Sequence, residues 1–89
     1  MTSAMRLEFK PHAFEDLQYW VSTNPRLANR ILRLIEETAR TPHTGTGKPE
    51  PLKGPLSGWW SRRIDSEHRL VYRVEADALV IAQARGHYD

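Results

Sequence analysis

The chain opens on an alternation. In "MRLEFK" the apolar residues Met5, Leu7 and Phe9 take every second position, the period of a short β-strand with one face against a core. Pro11 then opens a different rhythm, in which Phe14, Leu17, Trp20 and Val21 fall at helical spacing as far as "STNP". There Asn24 can cap a second helix, and Pro25 can take its first position, where no backbone N–H is needed. On that helix Leu27, Ile31, Leu34, Ile35 and Thr38 form one stripe, with Arg26, Arg30, Arg33, Glu37 and Arg40 largely outside it. So short a connection makes the two helices an antiparallel pair.

The segment "TPHTGTGKPEP" ends the helical pattern, because three prolines and two glycines in eleven residues exclude a helix or a central strand. Three strand candidates follow: "SGWWSRRI" after the Ser57-Gly58 turn signal, "HRLVYRV", and "ALVIAQAR" after the polar break "EAD". The order is therefore β-α-α-β-β-β. It predicts an α+β fold in which two antiparallel helices pack on one face of a mostly antiparallel sheet and leave the other face partly free. Adjacent strand residues point to opposite faces, so one of Trp59 and Trp60 belongs to the core and the other to a rim or interface. By the same parity only one of Arg62 and Arg63 can face a cleft. Parity also sets a conflict: a two-residue turn at Ala76-Asp77 pairs Arg69 near Ala84 and puts Arg69 and His87 on opposite faces. Bringing them together requires a different turn, or a chain that leaves the strand after Arg85 and bends, which Gly86 permits.

Composition bounds the rest. With 89 residues, 39% of them hydrophobic, and three tryptophans, the chain is expected to form a single domain over residues 1–89. It has no cysteine, which excludes disulfides, thiolate zinc sites and a cysteine nucleophile. No apolar run approaches the roughly 18 residues of a membrane span, and "MTSAMRLEFK" lacks a signal-peptide segment. A soluble cytoplasmic protein with no membrane association is expected. Net charge is only +2, but residues 48–73 carry Lys48, Lys53, Arg62, Arg63, Arg69 and Arg73 against Glu50, Asp65 and Glu67. Charge alone favours a solvated sheet face over an anionic partner.

Candidate chemistry concentrates in the second half. "GTGKPE" contains Gly-x-Gly-Lys, but no helix can follow through Pro49 and Pro51, so a phosphate-cradling loop is rejected. His12, His43, His68 and His87 have no paired metal-ligand spacing, so no metal and no cofactor are expected. His12 and His43 read as surface or turn residues, His68 as structural, and Arg73 and Arg85 as solvated. Glu50, Arg69 and His87 differ in kind. Metal-free RNA cleavage needs a base for the ribose 2′-hydroxyl, a cation for the pentacoordinate phosphate and an acid for the departing 5′-oxygen. Carboxylate, guanidinium and imidazole supply these three, although spacing alone does not separate such a trio from three unrelated surface residues. Glu50 stands out locally: Lys48 and Glu50 each precede a proline, which biases both toward extended backbone, and Lys48 and Lys53 draw phosphate to it.

The stretch "GTGKPEPLKGPLSGWWSRRIDSEHRLVYRV" closely resembles the central segment of the YoeB (Txe) toxins, ribosome-dependent mRNA interferases of the RelE/ParE superfamily. The early "LQYW" is similar to that family's first helix and the final "RGHY" to its C-terminus, so the resemblance covers nearly the whole chain. It implies a RelE-like fold and the toxin of a type II toxin–antitoxin system, an endoribonuclease that cuts mRNA in the ribosomal decoding site without a metal. On that resemblance the proton-accepting Glu is Glu50, the phosphate-stabilising Arg is Arg69 and the proton-donating His is His87. Lys53, Arg63 and Tyr88 are then RNA-binding residues, and Lys48 joins them by its charge beside Glu50. One departure stands out: Gly86 precedes His87 where relatives carry an aromatic residue, and Asp89 follows Tyr88. The implied partners are a YefM-type antitoxin, the ribosome, mRNA, operator DNA bound only as the toxin–antitoxin complex, and a second copy in a homodimer. The alternatives on the same scaffold are a non-catalytic ParE-like gyrase-binding toxin and an operator-binding co-regulator, neither of which needs the trio.

Overall fold

A single residue, Asn24, separates the two helices of the protein, whose computed structural model describes residues 5–87. The first helix, α1 (Pro11–Thr23), ends where the Asn24 N–H bonds to the Trp20 carbonyl at 2.8 Å. The second, α2 (Pro25–Arg40), begins where Asn24 Oδ1 accepts the Leu27 N–H at 3.2 Å, with Pro25 at the first helical position. One asparagine thus closes one helix and caps the next, as the sequence predicts.

Five strands follow the order β1-β5-β4-β3-β2 across one sheet. They are β1 (Arg6–Phe9), β2 (Glu50–Pro51), β3 (Trp60–Arg63), β4 (Arg69–Glu75) and β5 (Ala78–Gln83). Strands β1 and β5 run parallel and the other neighbours antiparallel. The expected four strands become five because the proline-rich loop supplies β2, pairing Glu50 with Ser61 and Pro51 with Trp60. Pro51 is tolerated there because β2 is an edge strand, where one side of the backbone needs no ladder partner. A single 3₁₀ turn, Gly54–Leu56, leads back to β3.

The α2 stripe is buried as predicted: Leu27, Ile31, Leu34, Ile35 and Thr38 are all inside, packed with Leu70 and Tyr72 of β4 and Leu79 and Ile81 of β5. The α1 stripe is the predicted one only at Leu17 and Trp20. Ala13, Asp16 and Trp20 are buried and Leu17 is partly buried, whereas Phe14 and Val21 are 51% and 57% exposed. The buried side of α1 extends to Asp16, which like Trp20 finds a hydrogen-bond partner inside. A buried carboxylate needs such partners, and the apolar pattern cannot register them.

The last hairpin has the two-residue turn at Ala76-Asp77, with Glu75 opposite Ala78. A bulge changes the register on which that parity argument rested. Tyr72 opposes Ile81, but Val71 opposes Gln83, so Ala82 is an extra residue in β5. Beyond it the parity of β5 is inverted, and Ala84 joins the core with Leu79 and Ile81. Continued at this register, Arg69 falls opposite Arg85, but strand parity stops at Gln83 and assigns no face to His87. The chain leaves the strand after Gln83, earlier than the expected Arg85, and bends through residues 84–86 with Gly86 at φ +80°.

Candidate active site

The register sorts the polar residues onto the sheet face away from the helices. Glu50, Ser61, Val71 and Gln83 form one row across β2, β3, β4 and β5, and Arg63 pairs with Arg69 in a parallel row. Directly opposed residues share a face. Their neighbours Trp60, Arg62, Leu70 and Tyr72 point to the helix side. Strand spacing and rise put the Glu50 and Arg69 Cα positions about 12 Å apart on a flat sheet, close enough for their side chains to reach one phosphodiester between them. Two buried donors, Arg73 Nε and Gln83 Nε2, have no acceptor among the described residues, and both belong to this face. A face with spare donors is suited to an anionic ligand rich in oxygen acceptors.

Arg62 explains how the loop before Glu50 keeps its shape. Its side chain is fully buried and all five guanidinium N–H donors are used. Nε donates to the Tyr72 hydroxyl at 3.2 Å, and Nη1 to Glu37 Oε2 at 3.3 Å and the Thr46 carbonyl at 3.1 Å. Nη2 donates to the carbonyls of Thr41 and Thr44. Tyr72 passes its own hydroxyl proton to the Pro42 carbonyl at 2.7 Å. The loop therefore wraps around one arginine. The Thr46 amide, with Arg62 beside it, holds the Glu37 carboxyl below the usual carboxylate range. Burial raises the Tyr72 hydroxyl against the pull of Arg62. Gly47 is obligatory here: its carbonyl accepts the Arg63 N–H at 2.7 Å, and a Cβ would lie 2.9 Å from the Arg63 carbonyl oxygen.

Of the two residues expected to be extended by a following proline, Glu50 is in β2 but Lys48 has φ 56°. The tertiary wrap, with Gly47 tied to Arg63, overrides the proline bias at Lys48. Lys48, Glu50 and Lys53 are exposed, and neither lysine makes an ion pair with Glu50 among the described residues. Arg63 is exposed on the open face and Arg62 is buried, as parity requires. Arg63 also lines a groove of about 890 Å³ whose other wall carries Arg26, Arg30 and Arg33 of α2, so positive charge continues around the sheet edge.

Arg69 is half-buried and anchored on one side only. Both Nη1 hydrogens go to the carbonyls of Asp65 and His68, at 3.0 and 3.1 Å, while Nε and Nη2 have no partner among the described residues. The unused Nε/Nη2 edge is the planar fork that two phosphate oxygens can accept together. The Arg69 backbone N–H bonds to the Gly86 carbonyl at 2.9 Å, so exposed His87 directly follows the residue fastened to Arg69. Tyr88 lies outside the described residues.

Two arginines expected to be solvated also stack on rings: Arg73 lies 4.4 Å from the Trp59 ring centroid and pairs with Glu75, and exposed Arg85 lies 3.6 Å from the Tyr19 ring. Trp60 packs on the core and against His43 at 4.2 Å, which leaves Trp59 on the open face. Trp20 was read from sequence only as part of the α1 stripe, and the roles missed altogether are those of Asp16 and Arg62. The last carried a usable signal, since an arginine on a strand between two buried positions must either snorkel or be fully paired.

The chain matches the family model for the YoeB-like toxin of bacterial type II toxin–antitoxin systems over residues 9–88. It is 56% identical over 84 residues to the toxin YoeB of Streptomyces coelicolor, covering 94% of this chain and all of the relative. A YoeB/ParE toxin structure from Agrobacterium tumefaciens superposes with a TM-score of 0.92 at 45% identity, covering 94% of this chain and 100% of that one. YoeB from Staphylococcus aureus, solved as a dimer and in a YoeB–YefM complex, gives TM-scores of 0.88 and 0.86 at 39% and 40% identity. Each covers 97% of this chain and 100% of the other.

Proposed function

The chain belongs to the YoeB-like toxins of bacterial type II toxin–antitoxin systems, and from that membership we propose that it is an endoribonuclease that cleaves mRNA in the ribosomal decoding site. The observation that carries this proposal is the shared face of Glu50 and Arg69, together with the hydrogen bond that ties Arg69 to the residue before His87. Glu50 takes the proton of a ribose 2′-hydroxyl, and the 2′-oxygen forms a bond to phosphorus. The Nε/Nη2 edge of Arg69 stabilises the added negative charge on the phosphate oxygens. His87 gives a proton to the 5′-oxygen as the P–O5′ bond breaks. The products are a 2′,3′-cyclic phosphate and a 5′-hydroxyl end. Protons balance: one leaves the 2′-hydroxyl and one reaches the leaving group, and no metal is required by the scheme.

Lys48, Lys53 and Arg63 hold flanking phosphates, and Tyr88 supports the RNA beside His87. A YefM-type antitoxin restrains the toxin, a partner supported by the YoeB–YefM complex of the S. aureus relative, and the dimer of that relative supports a homodimer. The toxin acts in the cytoplasm, and operator DNA is bound only by the toxin–antitoxin complex. None of the helices described is long and apolar enough to cross a membrane. The test is to map mRNA ends in a translating extract supplied with the protein. New 5′-hydroxyl ends within ribosome-occupied codons are expected. Growth arrest with uncut mRNA supports a gyrase-binding toxin or a co-regulator instead.

A further inference from the structure

The chain between β5 and His87 has left the sheet, yet it is held at four backbone atoms. At Ala84 the N–H donates to Asp16 Oδ2 at 3.0 Å, and the carbonyl accepts the Trp20 indole N–H at 2.9 Å. Asp16 and Trp20 stand four residues apart on α1, on one helix face, and are 5% and 8% exposed. At Gly86 the N–H donates to His68 Nδ1 at 2.8 Å, and the carbonyl accepts the Arg69 N–H at 2.9 Å. The two brackets touch: the His68 ring meets the Trp20 ring edge-on at 4.8 Å. Both hydrogen-bonding groups of both residues are therefore taken up, one residue before His87 begins.

We propose that Asp16, Trp20 and His68 are positioning residues for His87: through Ala84 and Gly86 they fix the direction in which the chain leaves β5 and so set where the imidazole meets the leaving oxygen. This rests on the proposed acid role of His87. The alternative purpose, closing the core, does not account for His68, whose acceptor is spent on a backbone N–H past the end of the sheet. Gly86 at φ +80° needs such a hold, because a glycine in the left-handed region has many other conformations open to it. The bracket requires Nδ1 of His68 as an acceptor, so the His68 ring carries its proton on Nε2. It also requires Asp16 as the carboxylate acceptor that no apolar residue can replace.

The experiment uses the full chain on ribosome-bound mRNA, with single-turnover cleavage and amide hydrogen exchange read in parallel. Trp20→Phe removes the indole donor while keeping an aromatic ring, His68→Leu removes the acceptor, and His68→Asn keeps an acceptor near the Nδ1 position. Faster exchange at the Ala84 and Gly86 amides is expected for His68→Leu and Trp20→Phe. The cleavage rate should fall about 10²-fold, the scale of a small misplacement of a reacting group, with half-saturation unchanged. His68→Asn should recover most of the rate. In a His87→Ala background the same substitutions should cost nothing further, because they act through His87. An equal loss in that background, or unchanged exchange at Ala84 and Gly86, overturns the proposal, and Trp20→Phe decides the matter if His68→Leu does not fold. His87→Ala cleaving as fast as the parent removes the acid role itself, a result read from that single variant.

Discussion

Arg69 shows how much one side chain's anchorage decides. Its Nη1 is spent on two hairpin carbonyls, which fixes the guanidinium plane and leaves a two-donor edge for phosphate. Lysine offers a point charge that cannot do both. Arg69→Lys is therefore expected to lower the single-turnover cleavage rate about 10²- to 10³-fold, the scale of a lost transition-state donor, with little change in RNA affinity. A loss confined to affinity would show that Arg69 binds ground-state phosphate only. At this scale the sequence was informative where parity applies: of Arg62 and Arg63 only one could face the open side, whereas the pairing that puts Glu50 on Arg63's face needed the structure. Asp16 could not, because a carboxylate on a helix reads as a solvated position until its backbone partner 68 residues away is known.

Among the elements, the loop between α2 and β2 has the most distinctive construction, a shell of carbonyls around the buried Arg62. Replacing it with methionine removes the guanidinium donors from those carbonyls and from Glu37, which keeps only the Thr46 amide. Arg62→Met should destabilise the fold by about 3–5 kcal/mol, as for one broken partner of a buried charge network, measured by urea unfolding. Glu37 gives the loop a pH dependence. Its carboxyl sits below the ordinary range when folded, so its contribution is complete at neutral pH and is lost as pH falls through the lowered value. Thermal midpoints followed from pH 7 downward should fall in the parent and fall less steeply in Glu37→Gln. The helices and strands β1, β3, β4 and β5 were legible from periodicity and caps. Strand β2 was not, since two residues around a proline carry no periodic signal, and neither was the bulge at Ala82, which depends on pairing across the hairpin.

The whole molecule is a layered device with helices behind the sheet and a cationic open face whose charge continues through Arg63 to α2. RNA affinity should accordingly fall with salt, and Arg63→Ala should flatten the logarithmic slope by about 0.7, the value for one phosphate contact on a single strand. An unchanged slope would remove Arg63 from the RNA path. Fold class was legible at this scale because strand, helix pair and meander come in one order; the path of the chain toward His87 was not, since it depends on a bulge and a bend. The central claim is that this face cleaves RNA with Glu50 as base and His87 as acid. The most direct measurement is single-turnover cleavage of ribosome-bound mRNA by the parent, Glu50→Ala and His87→Ala, with toxin binding to the ribosome measured alongside. Both variants should bind as the parent does and cleave at least about 10²-fold more slowly, the scale of a lost general acid or base. Undiminished cleavage by both would contradict the account.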